Sequence, residues 1–129
     1  VVKKIHQVDY YLTQQMEWNF CVRASSTDAE LWCFVAIPEG MDATHVHIKG
    51  LDSGTDGSSA DDVSIEVFEY SLSTGSTTSK GTGVVGTNLS ITNVTSSATN
   101  CLAVRVDTVD VAGSDTDVVY GGYVTIAEQ

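Results

Sequence analysis

Residues 31–49 read LWCFVAIPEGMDATHVHIK, two alternating runs on either side of the chain's single proline, Pro38. In the first run Leu31, Cys33, Val35 and Ile37 point one way and Trp32, Phe34 and Ala36 the other, so neither side is polar. A period of two makes this a β-strand, and a strand apolar on both sides is expected to be covered on both sides. Pro38-Glu39-Gly40 joins a fixed φ to a permissive residue, which is turn chemistry, and predicts a central hairpin. In the second run Thr44, Val46 and Ile48 form a mixed inner face, with Ala43, His45, His47 and Lys49 on a wet outer one.

Working outward from there, residues 16–23 set Trp18, Phe20 and Val22 against Glu17, Asn19, Cys21 and Arg23, before a polar loop at Ser25-Ser26-Thr27-Asp28. This predicts a second hairpin that pairs Phe20 with Phe34, Val22 with Trp32 and Cys21 with Cys33, collecting the aromatics on one shared face. Three cysteines fit neither a disulfide scaffold nor a four-ligand zinc site. A Cys21–Cys33 bridge stays open: directly opposed pairs bridge only with strain, and an intracellular assembly path keeps thiols reduced. Cys101 is left over.

Beyond Lys49 a Gly/Ser/Asp loop spans residues 50–62, after which Val63, Ile65 and Val67 alternate with Ser64, Glu66 and Phe68. Residues 71–87 are dominated by Ser, Thr and Gly and read as a long loop. Leu89, Ile91 and Val94, then Leu102, Val104 and Val106, then Val118, Tyr120, Val124 and Ile126 mark three more strands. No stretch keeps helical periodicity. The pattern predicts an all-β fold, a single antiparallel β-sandwich of about eight strands with jelly-roll topology. Residues 1–13 form either an N-terminal edge strand or a docking arm, and residues 14–129 the sandwich. Its expected core joins Trp18, Phe20, Trp32, Phe34, Val46, Ile48, Ile65, Val67, Leu102, Val104, Tyr120 and Val124, so that Phe34→Ala, if Phe34 is fully buried, costs about 3–5 kcal/mol.

A length of 129 residues suits one domain. At 42% hydrophobic residues the chain is too apolar for disorder. No run approaches the roughly 20 apolar residues that span a bilayer, and residues 1–11 lack the apolar stretch of a secretion signal. A net charge of −11, from 17 acidic and 6 basic residues, argues against nucleic acid and against anionic membranes, because neutralising phosphates takes clustered Lys and Arg. The same charge suits a densely packed or outward-facing protein.

Several strings invite chemical readings. Gly81-Thr82-Gly83-Val84-Val85-Gly86 matches a dinucleotide fingerprint, but a β-type segment follows where the motif needs a helix N-terminus, so no nucleotide cofactor is expected. His45 and His47 share a strand face as a cupin's His-x-His does, yet the only other histidine is His6, so surface imidazoles are expected. Asp52-Ser53-Gly54-Thr55-Asp56-Gly57 resembles the start of a calcium loop, with Gly54 and Val63 where carboxylates belong. Asp61 and Asp62, or Asp115 and Asp117, could complete a site; solvated turns are the default. Asn88-Leu89-Ser90 and Asn93-Val94-Thr95 are glycosylation sequons, meaningful only on a eukaryotic secretory path. Trp18 and Trp32 could form a platform for a sugar, but the expected register turns both inward. No nucleophile–base motif or carboxylate pair stands out, so no catalytic residue, cofactor or metal ligand is assigned.

Three strings taken in order, ATHVHIKG at 43–50, SKGTG at 79–83 and VYGGYVTI at 119–126, carry a family likeness. The chain from about Ala29 to Ile126 resembles the small β-sandwich structural proteins of marine tailed bacteriophages. That resemblance implies a non-enzymatic head-decoration or fibre subunit at the virion surface, whose partners are other copies of itself and other virion proteins. A carbohydrate-binding or adhesive sandwich would carry similar strings and stands as the alternative, with a glycan as partner. For the assembly interface, Lys3, Lys4, Tyr10 and Tyr11 are the candidates: they place positive charge and an aromatic pair at one end of an otherwise acidic chain.

Overall fold

The structure is a computed structural model and describes residues 13–24, 29–52, 63–108 and 117–129. It contains eight strands: β1 (Thr13–Ala24), β2 (Ala29–Val35), β3 (Met41–Asp52), β4 (Ser64–Ser71), β5 (Thr77–Val84), β6 (Leu89–Thr95), β7 (Asn100–Thr108) and β8 (Asp117–Glu128). They form two four-stranded antiparallel sheets, ordered β1-β8-β3-β6 and β2-β7-β4-β5. Of the successive strand pairs only β4 and β5 are neighbours in one sheet; every other connection crosses to the opposite sheet. This wrapping is that of a jelly roll, and the expected all-β sandwich is what the chain forms.

The core lies between the sheets, and the described residues that form it are aliphatic. Ile48, Ile65, Val67, Leu102, Val104, Val106 and Val124 are at most 2% exposed. These residues follow the period-two pattern along β3, β4, β7 and β8, so alternation alone delivers them to the interior.

Both expected hairpins give way to sheet crossings. β2 pairs with β7, setting Trp32 opposite Arg105, Cys33 opposite Val104 and Phe34 opposite Ala103, while β1 pairs with β8 in the other sheet. The register that set Phe20 against Phe34 and Cys21 against Cys33 is therefore not made. Likewise Pro38-Glu39-Gly40 carries the chain from β2 in one sheet to β3 in the other, closed by the Met41 N–H donating to the Pro38 carbonyl at 3.1 Å. A tight turn reverses the chain equally well in either case, and alternation says nothing about the sheet to which the next strand belongs.

Two irregularities in register explain further departures. Between Ala43 and His45 β3 shifts against β8, so Ala43 is fully buried with Val46 while Thr44 turns out and its hydroxyl donates to the Thr125 carbonyl. A second shift, where Lys49 faces Gly121 and Gly50 faces Val119, sends Val119 inward and leaves Tyr120 45% exposed instead of in the core. Trp32 and Phe34 also leave the expected core; the side chains of Trp18 and Phe20 lie outside the described residues.

The expected loop at 71–87 contains the edge strand β5, TTSKGTGV. Its glycines replace apolar side chains where β6 leans over it. A Cβ at Gly81 would lie 3.1 Å from Ile91 Cγ2, and one at Gly83 would lie 3.2 Å from Leu89 Cδ1. The string that imitated a nucleotide loop is thus a packing device. Its last glycine, Gly86, turns the chain at φ +82° and donates its N–H to the Ile48 carbonyl.

Candidate functional site

The outer face of the β2-β7-β4-β5 sheet carries the most distinctive surface. Strand parity that sends Leu102, Val104 and Val106 inward turns Cys101, Ala103, Arg105 and Asp107 outward on β7, and the register aligns neighbours with them. One row runs Trp32, Arg105, Glu66; the next Phe34, Ala103, Phe68; and Cys101 faces Tyr70 in the row beyond. Four aromatic rings thus gather around a central alanine that is completely covered.

The rings touch one another. Trp32 stacks on Phe68 at 5.6 Å between centroids and lies within 16° of parallel to Phe34 at 6.3 Å, while Phe34 meets Tyr70 edge to face at 5.5 Å. Such contacts add to area burial, on the order of 0.5–1.5 kcal/mol per pair. Phe68 ends up buried on the outside of the sheet, whereas Trp32 and Phe34 stay 38% and 58% exposed. The sandwich therefore has a second, one-sided apolar layer that nothing among the described residues completes.

Charge is arranged at the margin of this layer. Arg105 places its guanidinium carbon 5.9 Å from the Trp32 ring centre and 5.6 Å from that of Phe68, and donates through Nη2 to Glu66 Oε1 at 2.7 Å. A cation beside two ring faces and a short carboxylate bond hold the aromatics in place. Arg105 Nε is buried, with no hydrogen-bond partner among the described residues. At the far end of β2 the Trp32 Nε1–H donates to Glu30 Oε1 at 3.1 Å. Opposite Tyr70 on the neighbouring strand, burial pushes the Cys101 thiol above its usual pKa, so it stays protonated and packs as a small apolar group.

The opposite sheet offers a polar outer face. His47 stacks on Tyr123 at 5.0 Å, Lys49 Nζ sits 5.7 Å from the same ring centre, and His45 Nδ1 meets Thr44 Oγ1 at 2.9 Å. The two histidines share the outer side of β3 but are half-buried rather than surface imidazoles, and His47 Nδ1 is covered with no hydrogen-bond partner among the described residues. No group of three metal-ligating side chains forms around them among the described residues.

Lys3, Lys4, Tyr10 and Tyr11 lie outside the described residues, as do the acidic loop with Asp56, Asp61 and Asp62, and Asp115. Asn88 and Asn93 of the two sequons are exposed at β6. The aromatic face is the feature sequence reasoning missed, although a signal was present: Glu30 shares its strand phase with Trp32 and Phe34, and a carboxylate marks the side that faces water. Comparison with protein-family models, with curated proteins and with solved structures returns no match.

Proposed function

We propose that this chain is a non-enzymatic structural subunit of a virion, of the capsid-decoration or fibre type, displayed outward and held by other copies of itself and other virion proteins. The observation that carries this is the aromatic layer of Trp32, Phe34, Phe68 and Tyr70 with Arg105 at its side, whose outer surface no described residue covers. Aromatic residues and arginine are the types enriched at the cores of protein interfaces, and a contiguous exposed apolar patch marks an interaction surface. The jelly-roll wrapping and the strings at 43–50, 79–83 and 119–126 support the same reading. The test is to quantify the chain in purified particles by mass spectrometry and electron microscopy. Many ordered copies per particle are expected; a chain found only free of particles refutes the role.

One observation favours a second reading. Trp32 and Phe34 are nearly parallel and both exposed, which suits stacking against the apolar faces of sugar rings in a carbohydrate-binding or adhesive module. Glycan-array binding by the monomer, lost in Trp32→Ala, would select it.

A further inference from the structure

We propose that Lys80 and Asn100 join through an intramolecular isopeptide bond, Nζ to Cγ, with Glu69 as the acid–base group and ammonia as the leaving molecule. The site lies on the inner side of the β2-β7-β4-β5 sheet, away from the aromatic face, and does not depend on the role proposed above.

Three neighbouring strands bring the residues together: Lys80 on β5, Glu69 on β4 and Asn100 on β7. Glu69 shares the phase of Val67 and pairs with Leu102, both fully buried, so it turns to the core side at the end of the sheet. Asn100 shares the phase of Leu102 on β7. Lys80 is the extra residue where the β4–β5 register slips, between Gly81 facing Val67 and Ser79 facing Phe68. A lysine on an edge strand ordinarily stands in water, but a bulge can re-aim a side chain. Lys80 is only 18% exposed and sets Nζ 3.3 Å from Glu69 Oε1.

Asn100 is held from three directions. Its Nδ2 donates to Glu69 Oε2 at 2.7 Å and to the Thr95 carbonyl at 2.9 Å, and its Oδ1 accepts the Ser97 N–H at 3.0 Å. A backbone N–H only donates and a carboxylate only accepts, which fixes the orientation of the carboxamide. One carboxylate thus carries the lysine amine on one oxygen and the asparagine amide nitrogen on the other. Amide exchange requires this, a nucleophile and a leaving group on one proton carrier.

In the reaction Glu69 Oε1 takes a proton from the Lys80 ammonium. The flexible lysine stem swings Nζ to the roughly 3–3.5 Å that attack requires, and its lone pair bonds to Asn100 Cγ. The carbonyl π pair moves onto Oδ1, where the Ser97 N–H stabilises the oxyanion. Glu69 then gives its proton to Nδ2 and takes a second one from Nζ. The Cγ–Nδ2 bond breaks with its electron pair going to nitrogen, and ammonia leaves with that second proton as ammonium, so Glu69 ends ionised. No further reactant is consumed. A polar pocket lined by Glu69, Ser76, Thr78, Thr99 and Asn100 opens beside the pair and gives ammonia its exit. The bond ties β5 to β7 across β4 and closes a ring, residues 80–100, that contains β6 of the opposite sheet. β5 packs weakly by itself, because its inward positions are Gly81 and Gly83, and the cross-link secures it by constraining the unfolded chain.

Intact-mass spectrometry of the purified full chain tests this. The expected mass lies one ammonia, about 17 Da, below that of the sequence. Trypsin cuts after Lys and Arg, so the bond should leave residues 50–105 as one peptide carrying that loss, with fragmentation placing the link between Lys80 and Asn100. Lys80→Arg and Asn100→Ala should show full sequence mass, cleave after residue 80 and melt below the wild type. Glu69→Gln, folded by circular dichroism, should also keep full mass, whereas Glu69→Asp, which retains a carboxylate, should form the bond more slowly than the wild type. A wild-type chain of full sequence mass that trypsin cuts after Lys80 overturns the proposal, whatever the variants do. So does an ammonia loss that fragmentation places in a succinimide at a single asparagine, or one that persists undiminished in Glu69→Gln.

Discussion

At Phe34 the strand phase decides how much the side chain stabilises. With 58% of it exposed, Phe34→Ala should cost about 1 kcal/mol or less in a denaturant titration, far below the penalty for a buried phenylalanine. Leu102, fully covered one strand away, should cost about 2–5 kcal/mol on truncation to Ala. Equal losses at the two positions would mean that the outer layer is core after all. Cys101 offers a second test at this scale. Because burial raises its pKa, the folded state holds the thiol proton more tightly than the unfolded chain does. The stability it contributes is complete below the unfolded thiol's range and is lost as pH climbs through the folded value. Cys101 should thus resist iodoacetamide at pH 8 until the chain unfolds, and alkaline destabilisation should lessen in Cys101→Ala. Rapid alkylation of Cys101 in the native protein, located by peptide mapping, would contradict this.

Among the strands, what could be read from the sequence was the set of faces with one aliphatic side. Ile65 and Val67 on β4, and Leu102, Val104 and Val106 on β7, announce their inner sides by alternation and occupy them. β5 could not be read this way, because its inward positions are Gly81 and Gly83 and leave no hydrophobic period to detect. Nor could the pairing partners. β2 and β3 look like a hairpin because Pro38-Glu39-Gly40 turns the chain between them, yet the fold uses that turn for a sheet crossing. The aromatic site was hidden for a related reason: both sides of β2 are apolar, so the pattern left the outward side undecided and only Glu30 marked it. Close strand contact makes its own prediction at Gly122. A Cβ there would run into the backbone carbonyl of His47 on the neighbouring strand. Gly122→Ala should therefore destabilise by about 3 kcal/mol or more, since backbone cannot swing aside as a side chain can. A shift of the denaturant midpoint equivalent to less than about 1 kcal/mol would show that β3 and β8 can part at this point.

Over the whole molecule the strongest long-range influence is a net charge of −11 spread on a 13.7 kDa body. Self-repulsion of that size opposes both the compact fold and the approach of a second copy, while the contacts proposed to hold copies together are aromatic in character. Salt should separate the two contributions. Raising it from 0.01 M to 0.15 M shortens the Debye length from about 30 Å to about 8 Å, which removes most repulsion between bodies and leaves apolar contact untouched. The melting temperature and the associated fraction should therefore both rise with sodium chloride over that range. If association were ionic, for instance through Arg105 reaching a partner's carboxylate in place of Glu66, the associated fraction would fall as the melting temperature rose. Calorimetry and sedimentation on the same samples read the two responses side by side, and an associated fraction that declines with salt would exclude aromatic contact as the force that joins the copies.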